Sequence, residues 1–241
     1  MTSPSDEAEL LERGEITIQG RMPWSSNGTF LAEVCADGDG LMAVYKPHRG
    51  ERPLWDFPEG LYKREVASFE LSEALGWGLV PRTVLRDDAP LGIGSLQRFV
   101  AADFEQHYFT LYEDESGRWL DGLRQLCVFD LLSNQTDRKS GHVLLGAEGS
   151  DDGRLFAIDN GLSFHAEFKL RTVIWEFGGE PIPTSVLEDV GRFLDAGLPE
   201  PLVELLDPLE RDALLTRARA VLTDGVFPID GTGRRYPWPL V

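Results

Sequence analysis

Asp137, His142 and Asp159 are the side chains in this sequence whose types and spacing could support metal binding and proton transfer. Residues 143–145 and 155–158 have the short, apolar pattern of buried strands, and a turn rich in glycine and aspartate separates them. Asp137 and His142 flank the start of the first strand, and Asp159 ends the second. If the two strands pair as a hairpin, the three side chains converge at one end of it. Two carboxylates and an imidazole there could bind a divalent cation and accept a proton.

The loops that carry these residues resemble those of a known kinase group. Asp137-Arg138 followed by His142, and the downstream run 158–164 (IDNGLSF), are similar to the catalytic and metal-binding loops of the phosphatidylinositol 3-/4-kinase-like superfamily. This group of atypical kinases includes the HipA-type toxin kinases, and the chain resembles more narrowly an actinobacterial family of short kinase-like proteins. The resemblance implies that Asp137 is the catalytic base and that Asp159 and His142 bind Mg²⁺ or Mn²⁺. His142 is a departure, because the superfamily usually has a metal-binding asparagine there and imidazole is a softer ligand.

Lys46 ends an apolar segment predicted as a strand over 41–47, and it is one of only four lysines in the chain. A lysine on a strand behind a phosphate-binding loop is the arrangement with which kinases bind the α- and β-phosphates of ATP. The resemblance selects Glu65, on a helix predicted over 61–75, as its partner in preference to Glu70 and Glu73. The plainer interpretations are a solvated lysine and a solvated helix acid. For Asp159 alone we favour an ordinary turn residue, but together with Asp137 and Lys46 it favours a kinase site.

Two further segments supply candidates for nucleotide binding. Ser25, Ser26 and Asn27 lie in a loop between two predicted strands, and such a loop could present backbone N–H groups to a triphosphate. An ordinary hairpin loop is the alternative. Gln97 and Phe99 occupy the place of the segment that connects the two lobes of a kinase and lines its adenine pocket. The implied cofactors are ATP and Mg²⁺ or Mn²⁺.

The hydrophobic pattern predicts the elements that must position these residues. We expect strands at 15–19, 29–35, 41–47, 78–85 and 91–100, and helices at 3–14, 61–75, 119–133, 184–196, 201–206 and 207–222. Residues 101–118 are predicted to form a linker. Residues 164–171 carry a local excess of basic side chains, typical either of an activation segment that contacts the substrate or of one turn of solvated helix. The irregular tail 234–239 is predicted to pack back on the body.

Composition narrows the class of protein. A chain of 241 residues is sufficient for one two-lobed domain or for two small ones, and 42% hydrophobic residues support a full core. The excess of 41 acidic over 23 basic residues, a net charge of −18, argues against a nucleic-acid-binding surface. Cys35 and Cys127 are predicted to be buried free thiols. With no signal-peptide pattern and no apolar run long enough to span a bilayer, we expect a cytoplasmic protein without stable membrane insertion.

These observations predict an α+β protein with a two-lobed, protein-kinase-like fold. Residues 1–100 would form an N-lobe of small antiparallel sheet plus one helix, and residues 101–241 a mostly helical C-lobe of the same catalytic domain. The predicted reaction is ATP-dependent phosphoryl transfer to a hydroxyl of a protein serine or threonine, a lipid or a small molecule. A protein acceptor fits the HipA-type relatives better than a lipid, because the sequence shows no basic or amphipathic membrane surface.

Two alternatives remain open at this point. A nucleotide-binding pseudokinase or scaffold is suggested by His142 and by the lack of a clean glycine-rich loop. A metal-dependent phosphoesterase could use Asp137, His142 and Asp159 without nucleotide. The sequence leaves the acceptor, the choice of metal and the oligomeric state undetermined.

Overall fold

The computed structural model describes residues 4–23, 27–147, 151 and 153–240. Its strands are β1 Glu15–Arg21, β2 Phe30–Ala36, β3 Asp39–Pro47, β4 Thr83–Arg86, β5 Gly94–Arg98, β6 Val143–Leu145 and β7 Leu155–Ala157. Its helices are α1 Pro4–Arg13, α2 Leu61–Ala74, α3 Tyr108–Tyr112, α4 Leu120–Ser133, α5 Thr184–Ala196, α6 Glu200–Leu205 and α7 Pro208–Asp224. The predicted α+β class, with the sheet first and most helices after it, is confirmed.

The larger sheet has the strand order β1-β2-β3-β5-β4, and its neighbouring strands are antiparallel. Successive side chains of a strand point to opposite faces of the sheet. On β3, Ala43 and Tyr45 are therefore buried on the face that packs against Leu11 of α1. Lys46 lies on the opposite face, where α2 packs against β4 and β5. The pleat of one central strand thus directs Lys46 towards α2.

Helix α4 lies at the centre of the C-terminal part. Its segment from Leu126 to Leu132 is buried all round, the pattern of a helix enclosed by other elements. The helix ends at Asn134, whose left-handed backbone (φ 54°) redirects the chain into the loop that carries Asp137. That loop leads through a short 3₁₀ turn at Ser140–His142 into the β6–β7 hairpin, where Val143 pairs with Ala157.

Most predicted elements are present, and helix α7 begins as its sequence indicates. The carboxylate of Asp207 accepts hydrogen bonds from the N–H groups of Leu209 (2.8 Å) and Glu210 (2.9 Å), with Pro208 in the first turn. The tail also packs on the body as predicted, because the carbonyl of Arg235 accepts a hydrogen bond from Thr172 N–H at 3.1 Å. Among the described residues, no helix combines the length and apolar character needed to cross a membrane.

Three predictions of local structure are corrected. The linker expected at 101–118 contains α3, whose Tyr108 and Leu111 are buried in the main core. The strands expected at 78–85 and 91–100 are shorter, since the N–H groups of Leu79 and Val80 are bonded to the hydroxyl of Ser72 on α2. Residues 164–171 form neither α-helix nor strand, so the helical-turn interpretation is wrong, while the activation-segment interpretation stays a prediction.

The prediction that both cysteine thiols are buried is confirmed for Cys127 and wrong for Cys35. Cys127 is buried, whereas Cys35 is exposed, and both are free. Cys35 alternates along β2 with the buried Val34, so its side chain lies on the outer face of the strand.

A fully buried ion pair connects α4 to the loop that carries Asp137. Arg138 and Asp130 are 0% exposed, and Nη2 of Arg138 lies 2.9 Å from Asp130 Oδ1. Arg138 also donates to the side-chain oxygen of Asn160 at 2.7 Å and to the carbonyl of Ile158 at 2.7 Å, while Thr172 donates to Asp130 at 3.0 Å. These bonds join α4, the Asp137 loop and the residues that follow β7 into one network.

Replacing Asp130 with asparagine should lower the free energy of unfolding by about 3–5 kcal/mol, because the Arg138 guanidinium would remain buried without a counter-charge. Equilibrium urea unfolding measures the change. Glu9→Gln is the matched control, since it removes an exposed pair with Arg13 (3.8 Å) and should change stability little. Equal losses in the two variants would contradict the importance assigned to the buried pair.

Candidate active site

A cleft with about 560 Å³ of empty space, open to solvent, lies between the sheet, helix α2 and the loops after α4 and β7. Five of the predicted site residues line it: Asn27, Lys46, Glu65, Asp137 and Asp159. Ser25 and Ser26 lie outside the described residues. His142 contacts the cleft residue Asp159 from behind, and Gln97 and Phe99 are not part of the lining.

Lys46 lies at the base of the cleft between two carboxylates. Its Nζ contacts Glu65 Oε1 and lies 2.8 Å from Asp159 Oδ1, and its side chain is 21% exposed. Burial by itself would lower the pKa of Lys46, but the combined attraction of Asp159 and Glu65 outweighs it and raises that pKa above its ordinary value. The lysine is therefore charged at neutral pH and its direction is determined by two acids.

Glu65 connects the sheet to the segment after β7. Its side chain is only 3% exposed, and while Oε1 accepts from Lys46, Oε2 accepts a hydrogen bond from the Asn160 N–H at 3.1 Å. The next residue, Gly161, packs closely on this carboxylate, since a Cβ there would lie 3.3 Å from Glu65 Oε1 and 3.5 Å from Leu61 Cβ. Burial also explains why Glu65 rather than the exposed Glu73 is the partner of Lys46.

Helix α2 is anchored at two points close to Glu65. Arg64 forms a buried ion pair with Glu210 of α7. At the start of the helix, the carboxylate of Glu51 accepts hydrogen bonds from the N–H groups of Gly60 (3.0 Å) and Tyr62 (2.8 Å). Glu51 thus satisfies donors that a helix N-terminus otherwise leaves unpaired. Sequence analysis did not identify it, because it lies in a loop ten positions before the helix begins.

Asp159 follows β7 in the left-handed conformation (φ 56°), which places its carboxylate in the cleft with 54% of the side chain exposed. Aspartate tolerates this conformation better than most residues, so Asp159 is both an ordinary turn residue and a candidate site residue. The positive charge of Lys46 holds the pKa of Asp159 well below its usual range, with a smaller contribution from His142. The carboxylate is therefore ionised at neutral pH.

His142 lies behind Asp159, with Nε2 3.5 Å from Asp159 Oδ2. Its Nδ1 accepts a long hydrogen bond (3.4 Å) from the Lys139 N–H, which assigns the proton of the neutral ring to Nε2. Burial lowers the pKa of His142 to about 4, and the opposing attraction of Asp159 offsets only part of that effect. The imidazole is therefore neutral at neutral pH.

Asp137 lies on the same wall of the cleft. The amide oxygen of Gln135 accepts from the Asp137 N–H at 3.1 Å and supports the loop. Burial raises the pKa of Asp137, although Lys139 Nζ, 3.1 Å from Oδ2, acts in the opposite direction. A raised pKa makes the carboxylate a better proton acceptor. Sequence analysis missed Lys139, for which the available signal was a cation two positions after the candidate base.

The residues predicted to bind nucleotide differ in their surroundings. Asn27 lines the cleft, and its side-chain oxygen accepts from the Arg52 N–H at 3.1 Å. Gln97 is buried and donates from Nε2 to Thr83 Oγ1 at 2.8 Å, so its amide is directed at β4. The N–H of Phe99 donates to the Met42 carbonyl at 2.9 Å. The roles of all three in nucleotide binding remain predictions.

The spacing of Asp159 and His142 suits a divalent cation. Two ligands can share one Mg²⁺ only if they lie within about 4.2 Å of each other, twice a bond of about 2.1 Å. The 3.5 Å separation of Asp159 Oδ2 and His142 Nε2 meets this condition. Across the described residues, no three His, Cys, Asp or Glu side chains cluster as a metal site. The pair therefore fits a cation that takes its remaining ligands from a bound molecule or water.

The charge of the cleft limits what can bind there. The part of the lining that the structure describes contains four carboxylates, those of Glu51, Glu65, Asp137 and Asp159, and one cation, Lys46. Lys46 is already paired with two of them. A highly anionic ligand can therefore enter only together with additional positive charge.

The low pKa of His142 predicts a pH-dependent stability. An unfolded histidine binds its proton at about pH 6.5, so between pH 6.5 and 4 the unfolded state binds more protons than the folded state and stability falls with falling pH. Between pH 7 and pH 5 this effect should remove about 2 kcal/mol. Urea unfolding gives the loss of unfolding free energy between pH 7 and pH 5. In His142→Asn this loss should be smaller than in the wild type by about that amount. An unchanged difference would exclude His142 as its source.

No family model matches the chain. Among solved structures it resembles Golgi casein kinase with Mn and ADP bound, with a TM-score of 0.60 and 15% identity over 98% of this chain and 80% of that one. It also resembles the proinflammatory kinase CtkA of Helicobacter pylori, with a TM-score of 0.57 and 10% identity over 90% of this chain and 94% of that one. Hydra Fam20 with sugar gives a TM-score of 0.53 and 14% identity over 94% and 89%. At these identities the likeness shows the fold alone, which is the two-lobed fold of atypical kinases.

A sequence relative is much more similar. Protein Rv2133c of Mycobacterium tuberculosis is 37% identical over 278 aligned positions, which cover 99% of this chain and 97% of that protein. Similarity at this level, over nearly the whole of both proteins, shows that the chain belongs to the family of Protein Rv2133c, and this member has an atypical kinase fold.

Proposed function

We propose that this protein is an ATP-dependent phosphotransferase that moves the γ-phosphoryl group of ATP to a hydroxyl group. The observation that carries the proposal is the position of Lys46, held in the cleft by Glu65 and Asp159, with Asp137 also in the cleft lining. The presence of Mn and ADP in the similar Golgi casein kinase supports a nucleotide and a divalent cation as ligands.

Lys46 has the role of binding the α- and β-phosphates, and Glu65 positions its ammonium group. Asn27, with Ser25 and Ser26, covers the phosphates, and the β5 region around Gln97 and Phe99 backs the adenine. We assign the N-lobe to residues 1–100 and the C-lobe to residues 101–241, with the cleft between them.

Asp159 and His142 are the residues that would bind Mg²⁺ or Mn²⁺. When bound, the cation supplies positive charge that offsets the phosphate oxygens and the cleft carboxylates. Asp159 is the stronger donor, because it is ionised and one of its oxygens does not contact Lys46. His142 is the weaker donor, because its proton lies on the nitrogen that faces the cleft and must move to Nδ1 before that nitrogen can bind a metal.

Asp137 accepts the proton of the acceptor hydroxyl. The hydroxyl oxygen then forms a bond to the γ-phosphorus as the bond from that phosphorus to the bridging oxygen breaks, and ADP leaves with the electron pair. Lys139, beside Asp137, moderates the basicity of this carboxylate. We propose a protein serine or threonine as acceptor in preference to a lipid, a reaction of the phosphatidylinositol 3-/4-kinase-like type and a cytoplasmic location.

The tautomer of His142 motivates a second candidate function. If the ring keeps its proton on Nε2 facing Asp159, the cation has one protein ligand and transfer is slow or absent while nucleotide still binds. The protein would then be a nucleotide-binding pseudokinase.

ATP with Mg²⁺ or Mn²⁺ should raise the melting temperature, and ATP alone should raise it much less because the cleft is rich in carboxylates. Lys46→Met and Asp159→Asn should each lose most of the ATP–metal shift, measured against the variant's own baseline by differential scanning fluorimetry. Lys63→Met, at an exposed lysine of α2, is the control and should keep it. A full shift in Lys46→Met would contradict the role of the lysine.

Asp137→Asn should keep the ATP–metal shift and reduce phosphoryl transfer by at least about 100-fold, because a general base acts in the transition state and contributes little to nucleotide binding. Transfer of radiolabel from ATP to the protein itself and to protein acceptors is the measurement. Asp121→Asn, at a side chain that is 96% exposed, is the control.

The outcomes separate the alternatives. Loss of ATP binding in Asp137→Asn would show that this residue is not the base. ATP binding without any transfer by the wild-type protein would identify the pseudokinase. Hydrolysis of p-nitrophenyl phosphate without nucleotide, at a rate unchanged in Lys46→Met, would identify the phosphoesterase.

A further inference from the structure

A basic groove lies next to the candidate base in a protein that is otherwise strongly acidic. It has about 1400 Å³ of open space, and its basic lining residues are Lys169, Arg171, Arg234 and Arg235. The described acids in its lining are Asp56 and Glu167. The whole chain carries a net charge of −18, so this local excess of positive charge is opposite in sign to the charge of the protein as a whole.

The backbone places the groove beside Asp137. The N–H of Arg171 donates to the Gln135 carbonyl at 2.9 Å, and the Arg138 N–H donates to the Arg171 carbonyl at 3.1 Å. Gln135 and Arg138, which make these two bonds, lie on either side of Asp137 in the sequence. The segment around Arg171 therefore runs beside the Asp137 loop, since hydrogen-bonded neighbouring segments lie about 4.8 Å apart. The groove therefore begins directly beside the candidate base.

Two of the four cations are available to a partner. Lys169 is paired with Asp56 (3.5 Å), and Arg235 packs over the ring of Phe168 at 4.8 Å. Arg171 and Arg234 are exposed, and within the described ranges neither guanidinium has a carboxylate partner. An exposed cation without an intramolecular partner can pair directly with a ligand, because no existing ion pair has to be broken first.

The wall that carries Arg171 is preorganised. The buried amide of Asn134 donates to the carbonyls of His165 (2.8 Å) and Glu167 (2.7 Å), and its oxygen accepts from the Lys169 N–H at 2.9 Å. Trp55 and Phe168 also line the groove, and they are 96% and 50% exposed. A fixed wall lowers the entropy cost of binding, and the two aromatic rings offer apolar contact area.

We infer that this groove binds an acidic segment of the protein acceptor, with Arg171 and Arg234 pairing with carboxylates that lie a few positions from the phosphorylated hydroxyl. The identification of this segment as the acceptor rests on the proposed phosphotransferase function. Charge complementarity favours an acidic peptide, since four cations and two acids line the described part of the groove in a chain whose net charge is −18.

Fluorescence anisotropy with labelled peptides tests the inference. The probes are a serine peptide flanked by glutamates and the same peptide with glutamine or lysine at those positions. The wild-type protein should bind the glutamate peptide best, with an affinity that falls as salt rises. Arg171→Gln/Arg234→Gln should weaken binding by about tenfold. Arg219→Gln, at an exposed arginine of α7 outside the groove, is the matched control and should bind like the wild type.

Several results would overturn the inference. These are equal binding of the three peptides, wild-type affinity in the double variant, and binding to phosphatidylcholine–phosphatidylserine vesicles in place of the peptide. An unchanged melting temperature of the double variant shows that it is folded.

A parallel measurement separates the two proposals. If the wild-type protein binds the glutamate peptide through Arg171 and Arg234 but is not stabilised by ATP with metal, the groove is a docking site and the phosphotransferase proposal fails. If both ligands bind, radiolabel should pass to the serine of the glutamate peptide faster than to that of the glutamine peptide. Equal transfer to both peptides would refute the link between docking and catalysis.

Discussion

The site depends on the buried carboxylate of Glu65, because its two oxygens contact two different parts of the chain. One oxygen of this buried carboxylate contacts Lys46 of the sheet, and the other accepts from the backbone of Asn160 after β7. A buried carboxylate is costly unless both oxygens find donors, so the helix, the sheet and the hairpin must come together for Glu65 to be satisfied. The ion pair of Arg64 with Glu210 attaches the same helix to α7. The position of Lys46 is therefore a consequence of how the two parts of the chain dock.

A second buried network, centred on Arg138, supports the segments that carry Asp137 and Asp159. Arg138 follows Asp137 directly, and its guanidinium bonds Asp130, Ile158 and Asn160 with no exposure to solvent. A fully hydrogen-bonded guanidinium in a low-dielectric interior resists movement, because any displacement leaves a buried charge unpaired. Asp137 directly precedes Arg138, and Asp159 lies between Ile158 and Asn160, so the network holds the two carboxylates in a fixed relation. The carboxylates face the cleft while their neighbours in sequence are anchored in the core.

Charge is distributed in two different ways on either side of Asp137. The cleft contains more carboxylates than cations among its described residues, whereas the adjoining groove contains more cations than carboxylates. The first arrangement favours a ligand that enters together with a cation, and the second favours an anionic segment that enters alone. In a protein with a net charge of −18, this contrast arises because Asp56 is paired with Lys169 while Arg171 and Arg234 stay exposed.

The sequence by itself determined the order of elements and the residues able to do chemistry. The apolar run along 41–47 predicted β3 with Lys46 at its end, and the polar loop between α4 and β6 predicted the position of Asp137. These inferences succeed because strand and helix periods are local properties of the chain. The Lys46–Glu65 pair was predicted from the family resemblance. Tertiary structure alone decided that Asp159 also contacts Lys46, that Glu51 caps α2 and that Arg171 lies beside Asp137. Such contacts join residues far apart in sequence, and burial, which no local pattern encodes, decides which of several acids or cations makes them.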